Sequence, residues 1–311
     1  MNKLNTSDRR KSLTLADAFQ EFLVSQTAKG IKEKTLKTYR SHYAAAAKHM
    51  DMSLSFSQLT QRHLDEMVVS MRASGLAHNS ISSYVRVMKT FFSWCGEQNY
   101  TTLNLPCFKQ EETVKEVYTD EELALLLKQP SADASFGEYR NWVIINFLLN
   151  CGCRASTVRN IQVGDVNLAT KQVIFRHTKS GKIQVIPLCS RMTNILRSYM
   201  DVRGGASNDY LFCDVFGGML KENSLRLAIA RYNNQRGVKK TSLHLFRHTF
   251  ARKYLVDCGG DAFTLQKLLG HSTLKMTRHY CAIYDTDIVN NFDRLSPLSQ
   301  FSPPKEKLRR R

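Results

Sequence analysis

The chain has 311 residues, with 45 lysines and arginines against 27 aspartates and glutamates, so its formal net charge is +18. An excess of this size favours a polyanion over other kinds of partner, and nucleic acid, here double-stranded DNA, is the first candidate. The first ten residues are polar and charged, and no stretch approaches the roughly 20 apolar residues of a membrane span, so we predict a cytoplasmic, nucleoid-associated protein without a membrane partner.

The cysteines do not form a recognisable metal-binding pattern. No Cys-x-x-Cys pair with matching histidines is present, and Cys151-Gly152-Cys153 is too tight and too isolated for zinc. We therefore predict no metal site and expect mostly buried, reduced thiols. The eight cysteines are Cys95, Cys107, Cys151, Cys153, Cys189, Cys213, Cys258 and Cys281.

The first hundred residues predict four short amphipathic helices. Thr14, with Asp17 three residues later, resembles a capping box and marks the start of the first helix. The second is expected from about Lys34 to Met50, the third from Thr60 to near Gly75, and the fourth from Asn79 or Ser80 to Trp94. We predict a helical domain over residues 12–100 after a flexible stretch, 1–11.

Basic side chains on these helices are candidates for contacts to DNA phosphates. An equally acceptable interpretation is that each of them lies on a solvated helix face. The candidates in this half are Lys34, Arg40, Arg86 and Lys89.

A domain boundary is predicted at residues 101–116, where helical periodicity fades around Pro106. The second domain, 117–296, opens with a helix capped by Thr119 and Glu122. An apolar helix over Trp142–Leu149 then ends near Gly152. Arg154 directly follows this junction, at the start of a segment 155–161, where it can reach an anion or simply form a surface salt bridge.

Residues Gln172 to Leu188 change to a period of two and predict a β-hairpin. Val173 and Phe175 alternate with polar neighbours, and after the turn at Ser180-Gly181 the alternating apolar residues are Ile183, Val185 and Pro187. Lys179 lies at or beside the tip. A helix is expected from about Asn223 to Tyr232, and another at Ser242, preceded by two further basic candidates for DNA contact, Lys239 and Lys240.

The segment from His244 to Tyr280 contains side chains suited to phosphate chemistry. His244 and Arg247 are three residues apart and share a helix face. His271 follows Gly270, a predicted helix terminator, and Tyr280 lies nine residues after His271. Arginines and histidines beside a phenol can clamp a phosphate and activate a weak oxygen nucleophile. For His248 a packing role is the better interpretation.

Taken together, six residues resemble the catalytic set of the tyrosine recombinases, the family of phage integrases, Xer recombinases and Cre. They occur in the family's order and approximate spacing, and Leu268-Leu269-Gly270-His271-Ser272 is similar to its most recognisable segment. The resemblance spans about residues 12 to 295. The six matching residues are Arg154, Lys179, His244, Arg247, His271 and Tyr280.

The resemblance implies a mainly α fold with a small antiparallel β-sheet: a helical N-terminal core-binding domain followed by an α+β catalytic domain. It implies that Tyr280 forms a 3′-phosphotyrosyl bond, that Lys179 protonates the departing 5′ oxygen and that His244 acts as a base towards Tyr280. His271 and the two arginines would bind the phosphate. No metal, ATP or other cofactor is required by that scheme, and the sequence has no nucleotide-binding glycine loop.

The resemblance further implies a homo-tetramer on two DNA duplexes, or a complex with a paralogous recombinase, assembled through a C-terminal helix over 287–295. This helix is followed by a flexible basic tail, 297–311. One departure is Thr157, at a position that is commonly acidic in the family. It leaves open a catalytically silent DNA-binding protein of the same fold as the alternative function; a relaxing topoisomerase fits the N-terminal half less well.

Overall fold

The computed structural model describes residues 12–105, 116–178 and 181–278. The chain divides into two compact units, 1–113 and 114–311. Lys179, Tyr280, the predicted helix over 287–295 and both tails lie outside the described residues. As predicted, the fold is mostly helical with one small antiparallel sheet. No helix in the described part of the chain is long and apolar enough to cross a membrane.

The first unit contains the four predicted helices. The start of the first is confirmed, because the Thr14 hydroxyl accepts a hydrogen bond from the Asp17 amide at 3.1 Å. Their core is rich in aromatic rings, with Phe91 packed edge-on to both Phe19 and Phe22. The four helices are α1 (Leu15–Ala28), α2 (Glu33–Ala46), α3 (Gln61–Ala73) and α4 (His78–Glu97).

Helix α2 is shorter than predicted, ending at Ala46 rather than Met50. The chain after it turns back to the start of α1, where the amides of Leu15 and Ala16 donate to the carbonyls of Leu54 and Met52 at 3.0 Å. These long-range hydrogen bonds override the helix propensity of the alanine-rich stretch.

The second unit begins with a helix whose predicted capping box is confirmed. The Thr119 hydroxyl accepts from the Glu122 amide, and the Glu122 carboxylate accepts from the Thr119 amide. The helices of this unit are α5 (Asp120–Leu127), α6 (Phe136–Cys151), α7 (Ala155–Val158), α8 (Ser190–Arg203), α9 (Glu222–Gln235), α10 (Leu243–Leu255), α11 (Ala262–Leu269) and α12 (Leu274–Arg278).

Helix α6 runs through the core of this unit, and its residues from Arg140 to Leu148 are all buried. It begins six residues before the predicted Trp142, at Phe136, because Ser135 caps it by accepting from the Glu138 amide at 3.2 Å. It ends at Cys151, and Gly152 follows in the left-handed conformation with a φ of 58°. The predicted terminator is confirmed.

The sheet has three strands in the order β1 (Val166–Asn167), β2 (Gln172–Phe175) and β3 (Gln184–Pro187), all antiparallel. Val173 and Phe175 face the core, as predicted. The predicted face of the second hairpin strand is wrong: Ile183 and Val185 are 65% and 55% exposed, and Ile186 is the buried residue, opposite Val173.

Four of the cysteines in the described residues are buried, namely Cys95, Cys151, Cys153 and Cys213. Cys189 and Cys258 are exposed and depart from the expectation of buried thiols, and Cys107 and Cys281 lie outside the described residues.

Candidate active site

Helix α10 carries three of the residues singled out in the sequence. It begins after Ser242, as predicted, and its first turn exposes His244. Arg247 is only 2% exposed. His248 is buried one residue further on, and its ring meets the His244 ring edge-on with the centroids 4.5 Å apart. The helix therefore presents one exposed and one buried histidine beside a buried guanidinium.

The Arg247 guanidinium is held by two main-chain carbonyls and one imidazole. Its Nη1 donates to the Gly152 carbonyl at 2.9 Å, and its Nη2 donates to the Leu269 carbonyl at 3.0 Å. A second Nη2 hydrogen points to His271 Nε2, at 2.7 Å. Three of the five N–H donors are used in this way. The Nε atom is buried and has no hydrogen-bond partner among the described residues.

No carboxylate pairs with Arg247 in the described part of the chain. Two helix ends take that place, because Gly152 caps the C-terminus of α6 and Leu269 is the last residue of α11. A helix C-terminus carries a partial negative charge equivalent to about half an elementary charge. The buried cation is thus stabilised by two dipoles and keeps donors for an anion.

Two glycines allow both helix ends to approach the arginine. Gly152 and Gly270 have φ values of 58° and 64°, in the left-handed region where other residues are strained. A Cβ on Gly152 would lie 2.2 Å from a ring carbon of Phe250, on α10 itself. Glycine at this point lets α6 end directly against the helix that carries Arg247.

His271 is 8% exposed and is held on both ring nitrogens. Because a guanidinium can only donate, Nε2 must be the accepting nitrogen towards Arg247. The proton is then assigned to Nδ1, which donates to the Thr277 hydroxyl at 2.9 Å. Burial, together with the nearby positive charges of Arg247, Arg154 and His244, lowers the pKa of His271 to about 4. In the free protein at neutral pH this imidazole is therefore neutral.

Arg154 is half-buried and occupies the position just before the single turn of α7. Its charge acts on His271, as does that of His244, so four of the six predicted catalytic residues form one cluster. Burial raises the pKa of the neighbouring Cys153 thiol to about 12, despite the opposing influence of Arg247 and Arg154. Thr157, three residues after Arg154, is buried and its amide donates to the Arg154 carbonyl at 2.9 Å.

The two remaining catalytic candidates, Lys179 and Tyr280, lie outside the described residues. Described residues that neighbour each of them in the sequence do contact the cluster. Gln184, on the strand that follows Lys179, donates from its side-chain amide to the Lys267 carbonyl at the end of α11. Arg278, the last described residue, lies one position beyond Thr277, the partner of His271.

The basic residues predicted to contact DNA separate into two groups. Lys34 and Arg40 lie on α2, and Arg86 and Lys89 lie on α4, two helices that pack against each other. Arg40 forms an exposed ion pair with Glu33 at 3.1 Å. These four stay predictions.

Lys239 is exposed, but Lys240 has a structural role that the sequence did not reveal. Its ammonium donates to the Val117 carbonyl and to the Glu122 carboxylate, both at 2.9 Å. Because those contacts occupy the ammonium, we no longer count Lys240 among the candidate phosphate contacts.

Several residues that shape the cluster were missed in the sequence. Thr277 and Gln184 are an ordinary threonine and an ordinary glutamine, and nothing in their spacing marks them. The Gly152 and Leu269 carbonyls are main-chain groups, so only the predicted glycine terminators pointed to them. Within the described residues, no three histidine, cysteine, aspartate or glutamate side chains converge as metal ligands would.

Comparisons with known proteins agree on one family. The model of the phage integrase family matches residues 116–287. The XerD tyrosine recombinase of Staphylococcus haemolyticus is 26% identical over 297 residues, which cover 91% of this chain and 99% of the relative. The XerC tyrosine recombinase of Pelobacter propionicus is 29% identical over 183 residues, covering 58% of this chain and 60% of the relative.

Solved structures share the fold at low sequence identity. The Tn1549 transposon integrase in complex with transposon right end DNA is 18% identical, with a TM-score of 0.72 over 91% of this chain and 99% of its own. A lambda integrase dimer bound to a COC′ core site is also 18% identical, with a TM-score of 0.72 over 90% of this chain and 81% of its own.

Proposed function

Because the chain belongs to the phage integrase family and is a tyrosine-type site-specific DNA recombinase, we propose that it cuts and rejoins DNA strands through a 3′-phosphotyrosyl bond at Tyr280. The reaction needs neither a metal ion nor ATP, because the energy of the broken phosphodiester is kept in the phosphotyrosyl bond. Double-stranded DNA carrying a specific core site is the substrate.

The observation that carries this proposal is the Arg247 site. A buried guanidinium without a carboxylate partner among the described residues, and with a buried Nε–H donor unused, favours an oxyanion. An arginine fork binds two phosphate oxygens at once, which fixes the phosphate as well as neutralising it. Arg154 adds a second positive charge from the α6–α7 junction, and together they stabilise the negative charge that grows in the transition state.

Strand cleavage then balances as an in-line displacement. The Tyr280 phenol oxygen attacks the phosphorus and gives its proton to His244, which is exposed on the first turn of α10. The bond from phosphorus to the 5′ oxygen breaks, and Lys179 supplies the proton that this oxygen needs to leave. Attack by a 5′-hydroxyl of another strand reverses each step and releases Tyr280.

His271 changes its protonation state in this scheme. In the free protein its Nε2 accepts from Arg247, so it cannot donate to a phosphate. A bound phosphate would compete for the Arg247 donors and favour the charged imidazole, which raises its pKa from about 4. His271 would then donate from Nε2 to a non-bridging oxygen while Nδ1 stays on Thr277.

The assembly and context are also proposals. The relatives include integrases solved on DNA, among them a lambda integrase tetramer on a Holliday junction, and this supports a homo-tetramer on two duplexes, or a mixed complex with a paralogous recombinase. The helix predicted over 287–295 would dock into the neighbouring protomer. Lys34, Arg40, Arg86, Lys89 and Lys239 would contact phosphates. We propose that the protein acts at the nucleoid in the cytoplasm, as a simple recombinase or as the integrase of a mobile element.

A nicked suicide duplex carrying the cognate site tests the proposal. In EDTA and without nucleotide, the wild-type protein should form a covalent adduct that survives denaturation, because the 5′-hydroxyl is lost with the short fragment. Tyr280→Phe should bind the duplex with wild-type affinity and form no adduct.

The control variant is Tyr254→Phe, which removes the hydroxyl of a tyrosine on the far end of α10 and should form the adduct normally. An adduct with Tyr280→Phe would show that another residue is the nucleophile. Binding without cleavage by the wild-type protein on its cognate site would favour the alternative, a catalytically silent DNA-binding protein. The reason for considering that alternative is Thr157, which replaces a residue that is commonly acidic in the family.

A further inference from the structure

The side chain of Gln184 joins strand β3 to the turn that carries His271. Gln184 extends from the strand, and its Nε2 donates to the Lys267 carbonyl at 3.0 Å. The two residues are 83 positions apart in the chain. Gln184 does not belong to the catalytic set implied by the sequence, and β3 has no other assigned role at this site.

The last carbonyls of α11 are the groups that fix this turn. A helix leaves its final four carbonyls without intrahelical partners, and each needs a donor from elsewhere. The Gln266 carbonyl accepts from the His271 amide at 3.1 Å, and the Leu269 carbonyl accepts from Arg247 at 3.0 Å. The Lys267 carbonyl accepts from the Gly270 amide at 3.2 Å and from Gln184. Among the described residues, Gln184 and Arg247 are thus the donors from other elements that hold this helix end.

Gln184 also packs directly against Gly270. A Cβ added to Gly270 would lie 2.5 Å from Gln184 Oε1 and 2.6 Å from its Nε2. The amide group of Gln184 therefore fills the space where any other residue would place its side chain. Contact and hydrogen bond together fix the turn against the strand at the residue immediately before His271.

We propose that Gln184 is a positioning residue for strand cleavage, which holds the Gly270–His271 turn at the distance from Arg247 that phosphate binding requires. The inference rests on the proposed function for its link to cleavage, and on the contacts above for its link to His271. Arg247 and Gln184 each donate a hydrogen bond to a carbonyl at the end of α11. When Gln184 is lost, Arg247 remains as the donor from another element at this helix end, and the 2.7 Å contact between Arg247 and His271 loosens.

Two substitutions separate the hydrogen bond from the packing. Gln184→Met keeps the bulk against Gly270 and removes the donor, whereas Gln184→Ala removes both. Gln172→Met is the matched control, because Gln172 is an exposed glutamine on the neighbouring strand of the same sheet. The melting temperature of each full-length variant is measured first, and assays are run well below the lowest one.

The first measurement is the single-turnover cleavage rate of the suicide duplex at saturating protein. Because a hydrogen bond of this kind contributes about 0.5 to 1.5 kcal/mol, Gln184→Met should cleave roughly two- to tenfold more slowly. Its affinity for the duplex should stay within about twofold of the wild-type value, since the side chain acts on the reacting geometry. Gln184→Ala should be slower still, and Gln172→Met should match the wild type.

The second measurement is the NMR titration of the His271 imidazole in the free protein, assigned by comparison with His271→Gln. In Gln184→Met the apparent pKa should move up from about 4, because the ring becomes more hydrated and more distant from Arg247. A wild-type titration together with a wild-type cleavage rate in Gln184→Met would overturn the inference. An equal loss in Gln172→Met would do the same.

The two hypotheses fail in different ways. If the wild-type protein forms no adduct with its cognate duplex, the proposed function fails, while the His271 titration still decides whether Gln184 positions the turn. If the wild type cleaves and Gln184→Met changes neither measurement, the proposed function stands and the role of Gln184 is refuted.

Discussion

The junction at Gly152 offers a quantitative test of how the arginine site is built. Gly152→Ala places a methyl group 2.2 Å from Phe250 Cδ1 and 2.9 Å from Leu269 Cδ2, and it does so at a φ of 58°. The left-handed backbone costs a residue with a Cβ about 1 to 2 kcal/mol. Displacing well-packed side chains costs about 1 to 3 kcal/mol more. We therefore expect Gly152→Ala to lower the free energy of unfolding by about 2 to 5 kcal/mol.

Urea unfolding followed by tryptophan fluorescence measures this loss of stability in the second structural unit, which contains Gly152. The chain has two tryptophans, Trp94 in the first unit and Trp142 on α6 in the second. In a Trp94→Phe background the signal comes from Trp142, on the helix that Gly152 terminates.

The Phe250→Ala background separates the two contributions. It removes the ring that makes the two shortest contacts with the new methyl group. The cost of Gly152→Ala should then fall to the backbone share of about 1 to 2 kcal/mol plus the smaller cost of displacing Leu269. An equal cost in both backgrounds would refute the steric argument. A cost below about 0.5 kcal/mol in the wild-type background would refute the whole account of why glycine is needed there.

Three further outcomes follow from the site. His271 stays neutral in the folded protein, so as pH falls from 6.5 to about 4 only the unfolded chain takes up a proton there, and the free energy of unfolding should decrease. Urea unfolding at several pH values should show this decrease to be larger than that of His271→Gln, by roughly 3 kcal/mol at the acid end. Lys240→Met should cost about 1 to 3 kcal/mol of stability, because it removes the hydrogen bonds to the half-buried Val117 carbonyl and Glu122 carboxylate, while leaving DNA affinity in gel-shift assays unchanged. Arg247→Lys should slow suicide-duplex cleavage by about 100-fold or more, because one ammonium cannot hold two helix ends and a phosphate.

The sequence predicted best those features that depend on local rules. Capping residues such as Thr14 and Thr119, and terminators such as Gly152 and Gly270, act within a few residues of where they stand, so their positions could be inferred directly. The grouping of Arg154, His244, Arg247 and His271 came from the family resemblance. In the structure the first three lie close enough to His271 for their charges to lower its pKa.

Features that depend on tertiary partners were missed. In the second hairpin strand apolar residues occur on both faces, so period-two alternation could not show whether Val185 or Ile186 faces the core. Ile186 is the buried one because it pairs with Val173, which lies over the core. The pairing of Lys240 with Glu122 joins residues 118 positions apart, and local charge counting cannot detect it. The hydrogen bond from Gln184 to Lys267 is hidden for the same reason.

The way in which Arg247 is stabilised has a consequence at long range. A carboxylate partner would have cancelled its charge, and the electrostatic field of the neutral pair would be weak at a distance. The dipole of each helix adds no net charge, because the partial negative charge at its C-terminus is balanced by a positive one at its N-terminus. The field of the two dipoles therefore decays faster with distance than that of a point charge, and an approaching polyanion still experiences the positive charge of the guanidinium. The site should therefore attract DNA before contact, with association rates that fall as added salt shortens the Debye length.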